Sequence, residues 1–332
     1  MDPIQNPYTP GAGSRPPALT GRDAEIQAFR ILLERVKHGR PEKSLLVTGL
    51  RGVGKTVLLS TFRDLAENTG FKTGETEITH ETGFKQMMAR LGRRVLLELN
   101  PLEKIKDKVL DAARVFKAFT LKLPDGYEIG VDIDAIRGKA DSGNLSEDLS
   151  DFLTALGEAA RERKTGIVFL FDEIQFLERH DLEALIAALH HVTQRGLPLT
   201  VVGAGLPQLP KLAGEAKSYA ERLFNFPRID HLPAEAARAA LVKPAQEQGV
   251  AFTEAATNAI IEFTGGYPYF LQEFGKHIWN IAAKSPITLE DAERARPGVQ
   301  AQLDENFFRV RIGRTTAAER RYISAMADLG RG

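Results

Sequence analysis

The stretch Gly49-Leu50-Arg51-Gly52-Val53-Gly54-Lys55-Thr56 decides both the fold and the site of this 332-residue chain. It fits the pattern G-x-x-x-x-G-K-[ST], in which glycines let the backbone N–H groups converge on phosphate oxygens. In this pattern the lysine reaches the β- and γ-phosphates, and the last hydroxyl joins the shell of a Mg²⁺ ion. The stretch therefore predicts a nucleoside-triphosphate site in which Lys55 contacts phosphate and Thr56 contacts the metal.

The residues on either side of this loop supply the context that the pattern needs. Residues 44–48 form a short, nearly continuous apolar run, which is typical of a strand covered on both faces. A helical pattern follows over residues 55–67, and its positive dipole end would face the phosphates. Strand, glycine loop and helix in this order predict the first βα unit of a parallel sheet.

Further apolar runs continue the alternation of strands and helices. Strands are predicted at 71–78, 167–171 and 199–204, with helices at 146–163 and 181–195. This alternation predicts a three-layer α/β domain with a parallel sheet. Beyond residue 232 the sequence shows no strand, and we expect an all-helical domain there. Its helices are predicted to begin near Pro233, Thr253, Tyr267, Thr288 and Thr315.

Residues 116–133 predict a β-hairpin inserted between the second strand and the next core helix. Two alternating stretches, 116–123 and 127–133, flank the turn Pro124-Asp125-Gly126. The whole insertion is expected to cover about residues 80–145.

The N-terminal residues predict an extended arm. Five prolines lie within the first 17 residues, so a helix is excluded there and the arm either moves freely or docks on the body. Thr20 is predicted to be the N-cap of an amphipathic helix that ends near Gly39 and Pro41. The expected organisation is an arm (1–18), an α/β domain (19–230), a helical domain (231–310) and a C-terminal helix (311–332).

An acidic pair, Asp172-Glu173, follows the predicted strand 167–171. In an open parallel sheet, ligands bind outside the carboxyl ends of the strands, next to the loop after the first strand. We expect Asp172 to hold Mg²⁺ through the water shell of the ion and Glu173 to act as the general base for an attacking water.

The composition excludes several other classes of function. Lys and Arg total 44, as do Asp and Glu, so the net charge is zero and binding to nucleic acid through the net field of the chain is not expected. There is no cysteine, which excludes disulfides, thiolate metal sites and cysteine nucleophiles. The sequence shows neither a signal peptide nor a membrane-spanning run, so we expect a cytoplasmic protein without a membrane partner. The motifs G-x-G-x-x-G, G-x-S-x-G and H-E-x-x-H are also absent.

Taken together, these motifs resemble those of the AAA+ ATPases of the origin-recognition type and the neighbouring STAND NTPases, within the P-loop NTPase superfamily. The resemblance covers about residues 19–283, and its phosphate loop and acidic pair correspond to the family's Walker A and Walker B motifs. Leu19-Thr20-Gly21-Arg22-Asp23-Ala24-Glu25 is similar to the family's hydrophobic-Gly-Arg-acidic box. This implies that Gly21 and Arg22 pack against adenine and ribose.

Two further sites are implied by the resemblance. Residues 219–224 correspond to a box that carries an arginine finger, so Arg222 would reach the γ-phosphate of a neighbouring subunit and a homo-oligomer is implied. Residues 265–272 resemble the STAND Gly-x-Pro motif, in which Tyr267 and Pro268 would close over the base. The alternatives are a surface arginine on a helix and an ordinary helix start with proline in its first turn.

The sequence departs from the family pattern in three places. The expected sensor position on the fourth strand has no polar side chain before Gln208, and no lid arginine is visible near Pro268. Origin-type relatives continue into a DNA-binding winged helix, of which 311–332 would be at most the first helix. Arginines at 309, 311, 314, 320 and 321 are more typical of a solvated helical face, so DNA is little supported as a partner.

The function expected from these observations is an ATPase that hydrolyses ATP with Mg²⁺ to drive a lid-closure switch. The alternative is a nucleotide-binding regulator or a DNA-associated, initiator-like module that turns over little. Lys55, Glu173 and Arg222 are the expected catalytic residues, and Thr56 and Asp172 the metal ligands. The expected nucleotide-binding residues are Gly21, Arg22, Gly49, Arg51, Gly52, Val53, Gly54, Lys55, Thr56, Val57, Tyr267 and Pro268.

Overall fold

The computed structural model describes residues 1–11, 13, 19–99, 107–121, 123 and 134–330. The chain divides into two compact units. One, the α/β unit, is Arg22–Asp230, and the other, the helical unit, combines Met1–Gly21 with His231–Gly332. Within the described ranges, every helix is too short or too polar to cross a lipid bilayer.

The α/β unit contains a five-stranded parallel sheet. Its strands are β1 (Ser44–Thr48), β2 (Lys72–Glu77), β3 (Ile167–Asp172), β4 (Leu199–Gly205) and β5 (Phe224–Asn225). They lie in the order β2-β3-β4-β1-β5, and Leu46 of β1 stands opposite Gly203 of β4. All residues of β1 and β4 are buried, as expected for strands covered on both faces. The predicted three-layer fold class is confirmed.

Helices cover both faces of this sheet. They are α1 (Asp23–Lys37), α2 (Lys55–Asn68), α3 (Phe84–Leu99), α4 (Asp107–Thr120), α5 (Leu145–Glu162), α6 (Arg179–Gln194), α7 (Leu209–Ala216) and α8 (Ala220–Leu223). The largest cluster of buried apolar side chains joins α3–α6 to β3 and β4. On the other side of the unit, the rings of Phe29 and Phe62 stack with centroids 4.4 Å apart and hold α1 against α2.

The predicted β-hairpin is wrong in its first half, because residues 116–120 belong to α4. Phe116 and Phe119 are three residues apart and both are fully buried against Phe152 of α5, with ring centroids 5.7 and 4.7 Å from it. Val109 and Ala112 continue the same buried face at helical spacing. Residues 122 and 124–133, which include the predicted turn and second strand, lie outside the described residues.

The predicted start of the first helix is also wrong. Helix α1 begins at Asp23 with Arg22 at its N-cap position, where no side chain caps the helix. The hydroxyl of Thr20 instead donates a hydrogen bond to the carbonyl of Ala236 at 2.8 Å, within the helical unit. Asp23 and Glu25 stabilise the N-terminus of α1 electrostatically in place of a cap.

The helical unit consists of helices packed around its own apolar core. They are α9 (Ala234–Glu247), α10 (Glu254–Thr264), α11 (Pro268–Ile281), α12 (Leu289–Leu303), a π-helical turn (Asp304–Arg309), α13 (Val310–Gly313) and α14 (Ala317–Leu329). Leu241, Ile260, Phe274 and Trp279 form the centre of the core. The described part of this unit holds no strand, only an isolated bridge between Phe252 and Ile287.

The described part of the N-terminal arm docks on the helical unit. Tyr8 is buried, its hydroxyl donates a hydrogen bond to the carbonyl of Leu241 at 2.5 Å, and its ring lies against Gly275, where a Cβ would come within 2.5 Å of it. Burial raises the pKa of the Tyr8 hydroxyl, so the group stays protonated and able to donate. The indole of Trp279 donates to the carbonyl of Asp2 at 2.8 Å. Although helix was excluded here, Pro3–Gln5 form a 3₁₀ turn.

We expect Tyr8→Ala to lower the free energy of unfolding by roughly 3–5 kcal/mol, as for other buried aromatic side chains replaced by alanine. The substitution removes a buried ring and leaves the Leu241 carbonyl without its hydroxyl donor. Urea unfolding of the full chain followed by circular dichroism measures the change. Tyr322→Ala is the matched control, since that side chain is 68% exposed. If both variants unfold at the same urea concentration, the arm does not stabilise the helical unit.

Candidate nucleotide-binding site

The loop between β1 and α2 adopts a backbone conformation that requires glycine at two of its positions. Gly54, the residue before α2, has a φ of +93°, in the left-handed region that favours glycine. Gly49 has no room for a side chain, because a Cβ there would lie 2.5 Å from the carbonyl oxygen of Ile229. The loop therefore ends at the N-terminus of a 14-residue helix, where N–H groups and the helix dipole favour an anion.

Lys55 lies folded over this loop. It is only 6% exposed, and its Nζ donates hydrogen bonds to the carbonyl oxygens of Gly49 at 3.0 Å and Leu50 at 2.9 Å. The first residue of α2 thus places a positive charge on the inner side of the loop. An ammonium group in this position is close to any phosphate that the loop N–H groups bind.

Thr56 and Asp172 meet at the carboxyl edge of the sheet. The Thr56 hydroxyl donates a hydrogen bond to Oδ2 of Asp172 at 2.5 Å, although the residues are 116 positions apart in the sequence. Asp172 is the last residue of β3, and its other oxygen, Oδ1, accepts the N–H of Glu173 at 2.8 Å. A hydroxyl and a carboxylate are hard oxygen donors of the kind that Mg²⁺ prefers.

The donor set suits a magnesium ion that takes most of its ligands from phosphates and water. Among the described residues, no group of three or more His, Asp or Glu side chains is arranged to hold a metal by itself. Mg²⁺ in nucleotide sites is bound by one or two protein oxygens together with substrate phosphates. Thr56 and Asp172 fit that requirement.

Glu173 follows Asp172 in an unusual backbone conformation. Its φ and ψ are 51° and 37°, in the left-handed region that a residue with a Cβ rarely adopts. Such a conformation costs on the order of 1–3 kcal/mol and persists only where the surroundings impose it. It turns the chain out of β3 into the 3₁₀ turn Ile174–Phe176, and it sets Glu173 directly after the carboxylate that faces Thr56.

Sequence analysis missed Gln175, which contacts Glu173. Its Nε2 donates a short hydrogen bond to Oε2 of Glu173, and its Oε1 accepts the N–H of Leu206 at 3.1 Å. Leu206 is the first residue after β4. Sequence analysis found no polar side chain at the expected sensor position of this strand. Only the position of Gln175 two residues beyond the acidic pair pointed to it.

Arg22 is buried between two backbone segments of the α/β unit. One guanidinium nitrogen, Nη2, donates to the carbonyl oxygens of Val53 at 3.1 Å and Asp230 at 2.6 Å. Burial lowers the pKa of Arg22, and Glu25 and Asp230 oppose this shift electrostatically. Arg22 therefore fixes the end of the phosphate loop to the segment after β5; its predicted contact with adenine and ribose stays a prediction.

The remaining predicted site residues are spread over the two units. In the α/β unit, Val53 and Val57 are buried, Arg51 is half-buried, and Arg222 is exposed on α8. In the helical unit, Gly21 lies beside Ala236, and Pro268 is the first residue of α11. Tyr267 is buried there, and its ring packs against His231 and Phe270 at centroid distances of 5.1 and 4.6 Å.

Comparison with known proteins defines the class to which this fold and loop belong. A family model described as an AAA ATPase domain matches residues 18–202, which is more than half of the chain. The chain therefore belongs to the AAA ATPase domain family, within the P-loop NTPases, and the predicted AAA+ resemblance is confirmed. No curated protein matches the sequence.

Solved structures agree with this assignment at the level of the fold. Cdc6p from Pyrobaculum aerophilum is 15% identical, with a TM-score of 0.55 over 90% of this chain and 71% of that chain. The Walker-type ATPase PABY2304 of Pyrococcus abyssi is also 15% identical, with a TM-score of 0.54 over 90% and 77%. RuvB of Thermotoga maritima, a Holliday junction branch migration motor, is 15% identical, with a TM-score of 0.51 over 86% and 73%.

Proposed function

We propose that the chain binds ATP with Mg²⁺ on the loop at residues 49–56 and hydrolyses it. The contact between the Thr56 hydroxyl and the Asp172 carboxylate carries this proposal, because it joins the end of the phosphate loop to the carboxyl end of β3. A hydroxyl at the end of the phosphate loop and an aspartate at the end of another strand are the side chains that hold a nucleotide-bound Mg²⁺, directly or through water, in P-loop NTPases. When bound, the metal neutralises charge on the phosphates during phosphoryl transfer.

The proposed roles follow the positions of the side chains. N–H groups of the loop and the Lys55 ammonium bind the phosphates, and Thr56 and Asp172 hold the metal. Glu173 accepts a proton from the attacking water, so that the water oxygen bonds to the γ-phosphorus as the bond to ADP breaks. The other proposed nucleotide contacts are Gly21, Arg22, Gly49, Arg51, Gly52, Val53, Gly54, Val57, Tyr267 and Pro268.

Two finer parts of the proposal concern a neighbouring subunit and the helical unit. Arg222 is exposed on α8, where it can meet a second copy of the chain and stabilise the charge on its γ-phosphate. We propose a lid role for the helical unit, in which Tyr267 and Pro268 close over the base and hydrolysis drives the switch by changing the angle of the lid.

Steady-state release of phosphate from ATP by the full chain tests the proposal. We expect release with Mg²⁺ and none above background when EDTA removes the metal. The rate per chain should rise with protein concentration if Arg222 acts on a neighbouring subunit, and should then fall in Arg222→Ala. Absence of phosphate release at every protein concentration would contradict the ATPase function. A rate per chain that does not change with protein concentration would contradict only the role of Arg222.

The alternative function is a regulator that holds ATP or ADP and turns over little. It uses the same phosphate loop and metal ligands, so the same residues support it. Tight binding of nucleotide with no phosphate release, both with and without duplex DNA, would favour the regulator over the ATPase. Release that begins only when DNA is added would favour the DNA-associated module.

A further inference from the structure

Gln175 connects the proposed base to the end of the neighbouring strand. Its amide nitrogen donates to the Glu173 carboxylate, and its amide oxygen accepts the N–H of Leu206. Both ends of one carboxamide are therefore engaged, one by the turn after β3 and the other by the first residue after β4. The orientation of the carboxamide is fixed by this pairing, since only the NH₂ end can donate to a carboxylate and only the oxygen can accept an N–H.

Two glycines of β4 make room for the turn that carries this side chain. A Cβ on Gly205 would lie 2.8 Å from Oε1 of Gln175, and a Cβ on Gly203 would lie 3.0 Å from Cδ1 of Ile174. A polar side chain carried by β4 at position 205 would displace the carboxamide. The position at which the sequence shows no polar residue is thus filled by a polar group from the 3₁₀ turn that follows β3, the strand next to β4.

The carboxylate that Gln175 contacts needs such a partner. A general base works efficiently only when a third group orients it, since small errors in its position slow the proton transfer. Glu173 itself has the left-handed backbone conformation at the point where the chain leaves β3. Neither a strand nor an α-helix therefore continues through Glu173 to fix its side chain. Within the part of the chain that the structure describes, the hydrogen bond from Gln175 is the one that holds the Glu173 side chain.

We propose that Gln175 is a positioning residue for ATP hydrolysis, which orients the Glu173 carboxylate and ties it to the backbone at the end of β4. This inference rests on the proposed function, because it requires Glu173 to be the base. A shift of the Leu206 N–H would move the carboxamide and with it the carboxylate. Gln175 would thereby couple the end of β4 to the chemical step without contacting the substrate.

Two substitutions of Gln175 distinguish a role in positioning Glu173 from a purely structural role at the Leu206 turn. Gln175→Met keeps the length of the side chain and removes both hydrogen bonds. Gln175→Glu keeps an oxygen for the Leu206 N–H, but it removes the donor and sets a second carboxylate against Glu173. We expect both to lower kcat by roughly 10- to 100-fold, within the contribution of a positioned general base, with KM and the Kd for ATP changed less than about twofold.

The measurement is phosphate release by the full chain, with ATP binding and the melting temperature recorded for each variant. Gln194→Met is the matched control, because Gln194 is exposed at the C-terminal end of α6 and its replacement should leave kcat unchanged. In single-turnover experiments, Gln175→Met should add no further loss to Glu173→Gln, since Gln175 acts through that carboxylate.

The outcomes separate this inference from the proposed function. If Glu173→Gln is slow but both Gln175 variants turn over like the wild type, Gln175 does not position the base and the ATPase assignment stands. If Gln175→Glu keeps the wild-type kcat while Gln175→Met loses it, Gln175 only stabilises the Leu206 turn, and this result would also overturn the inference. If Glu173→Gln hydrolyses as fast as the wild type, the proposed function fails and the inference fails with it.

Discussion

Glu173→Gln is expected to bind ATP as tightly as the wild type and to release phosphate about 10²- to 10⁴-fold more slowly, the contribution of a general base. Glutamine has the same shape as glutamate, and its side-chain oxygen can still accept the bond from Gln175. The turn after β3 should therefore survive, while the group that takes a proton from water is lost. Binding and chemistry should separate, as they do when an interaction acts only in the transition state.

The experiment combines phosphate release with a titration of ATP binding in the presence of Mg²⁺. Glu178→Gln serves as the control, since Glu178 has the same side chain and is exposed five residues further along the chain. It should hydrolyse ATP at the wild-type rate. Equal turnover in Glu173→Gln and Glu178→Gln would show that Glu173 is not the base.

The sheet and the loop could be predicted because their signals are local and strong. The apolar run at 44–48, the glycine pattern and the helix after it constrain one another over 25 consecutive residues, so β1 and α2 lie where the sequence placed them. The buried strands β3 and β4 were found in the same way. The meeting of Thr56 with Asp172 followed from sheet topology, since both residues lie at the carboxyl edge.

The hairpin was predicted wrongly because a short apolar pattern can fit both the two-residue period of a strand and the 3.6-residue period of a helix. The apolar residues at 119, 121 and 123 alternate with polar residues and favour a strand, whereas Phe116 and Phe119 satisfy the spacing of a helix face. Packing decides between them, because Phe152 of α5 accepts both rings only when they lie on one side of a helix. The sequence around 116–120 contains no information about α5, so tertiary contact overrides the local pattern.

Gln175 could not be assigned for a different reason. Its role depends on two partners, Glu173 and Leu206, of which the second is 31 positions away in the sequence. A single glutamine after an acidic pair produces no periodic signal. The glycine at 205, which the sequence presents as a missing polar residue, is informative only when the distance to Gln175 is known.

Lys55→Ala is expected to weaken ATP binding on the order of 100-fold, because a hydrogen-bonded charge contributes about 1.5–3 kcal/mol and each 1.4 kcal/mol is tenfold in affinity. The loss has two sources. The phosphates lose a cation that the loop holds on its inner side, and the carbonyls of Gly49 and Leu50 lose a donor that shapes the loop. Hydrolysis should fall with binding at any ATP concentration below the new Kd.

Thermal unfolding with and without Mg²⁺-ATP measures this loss, since a ligand that binds only the folded chain raises the melting temperature according to its concentration and Kd. With ATP held about tenfold above the wild-type Kd, ATP should stabilise the wild type measurably and Lys55→Ala hardly at all. Lys55→Arg distinguishes the effect of charge from that of shape. The Lys55 side chain is only 6% exposed, which leaves little room for a guanidinium group, so we expect Lys55→Arg to bind ATP almost as weakly as Lys55→Ala. Lys37→Ala, at an exposed lysine of α1, should keep the full ATP-dependent shift. An unchanged shift in Lys55→Ala would mean that the phosphates bind elsewhere, and the assignment of the loop at residues 49–56 would have to be withdrawn.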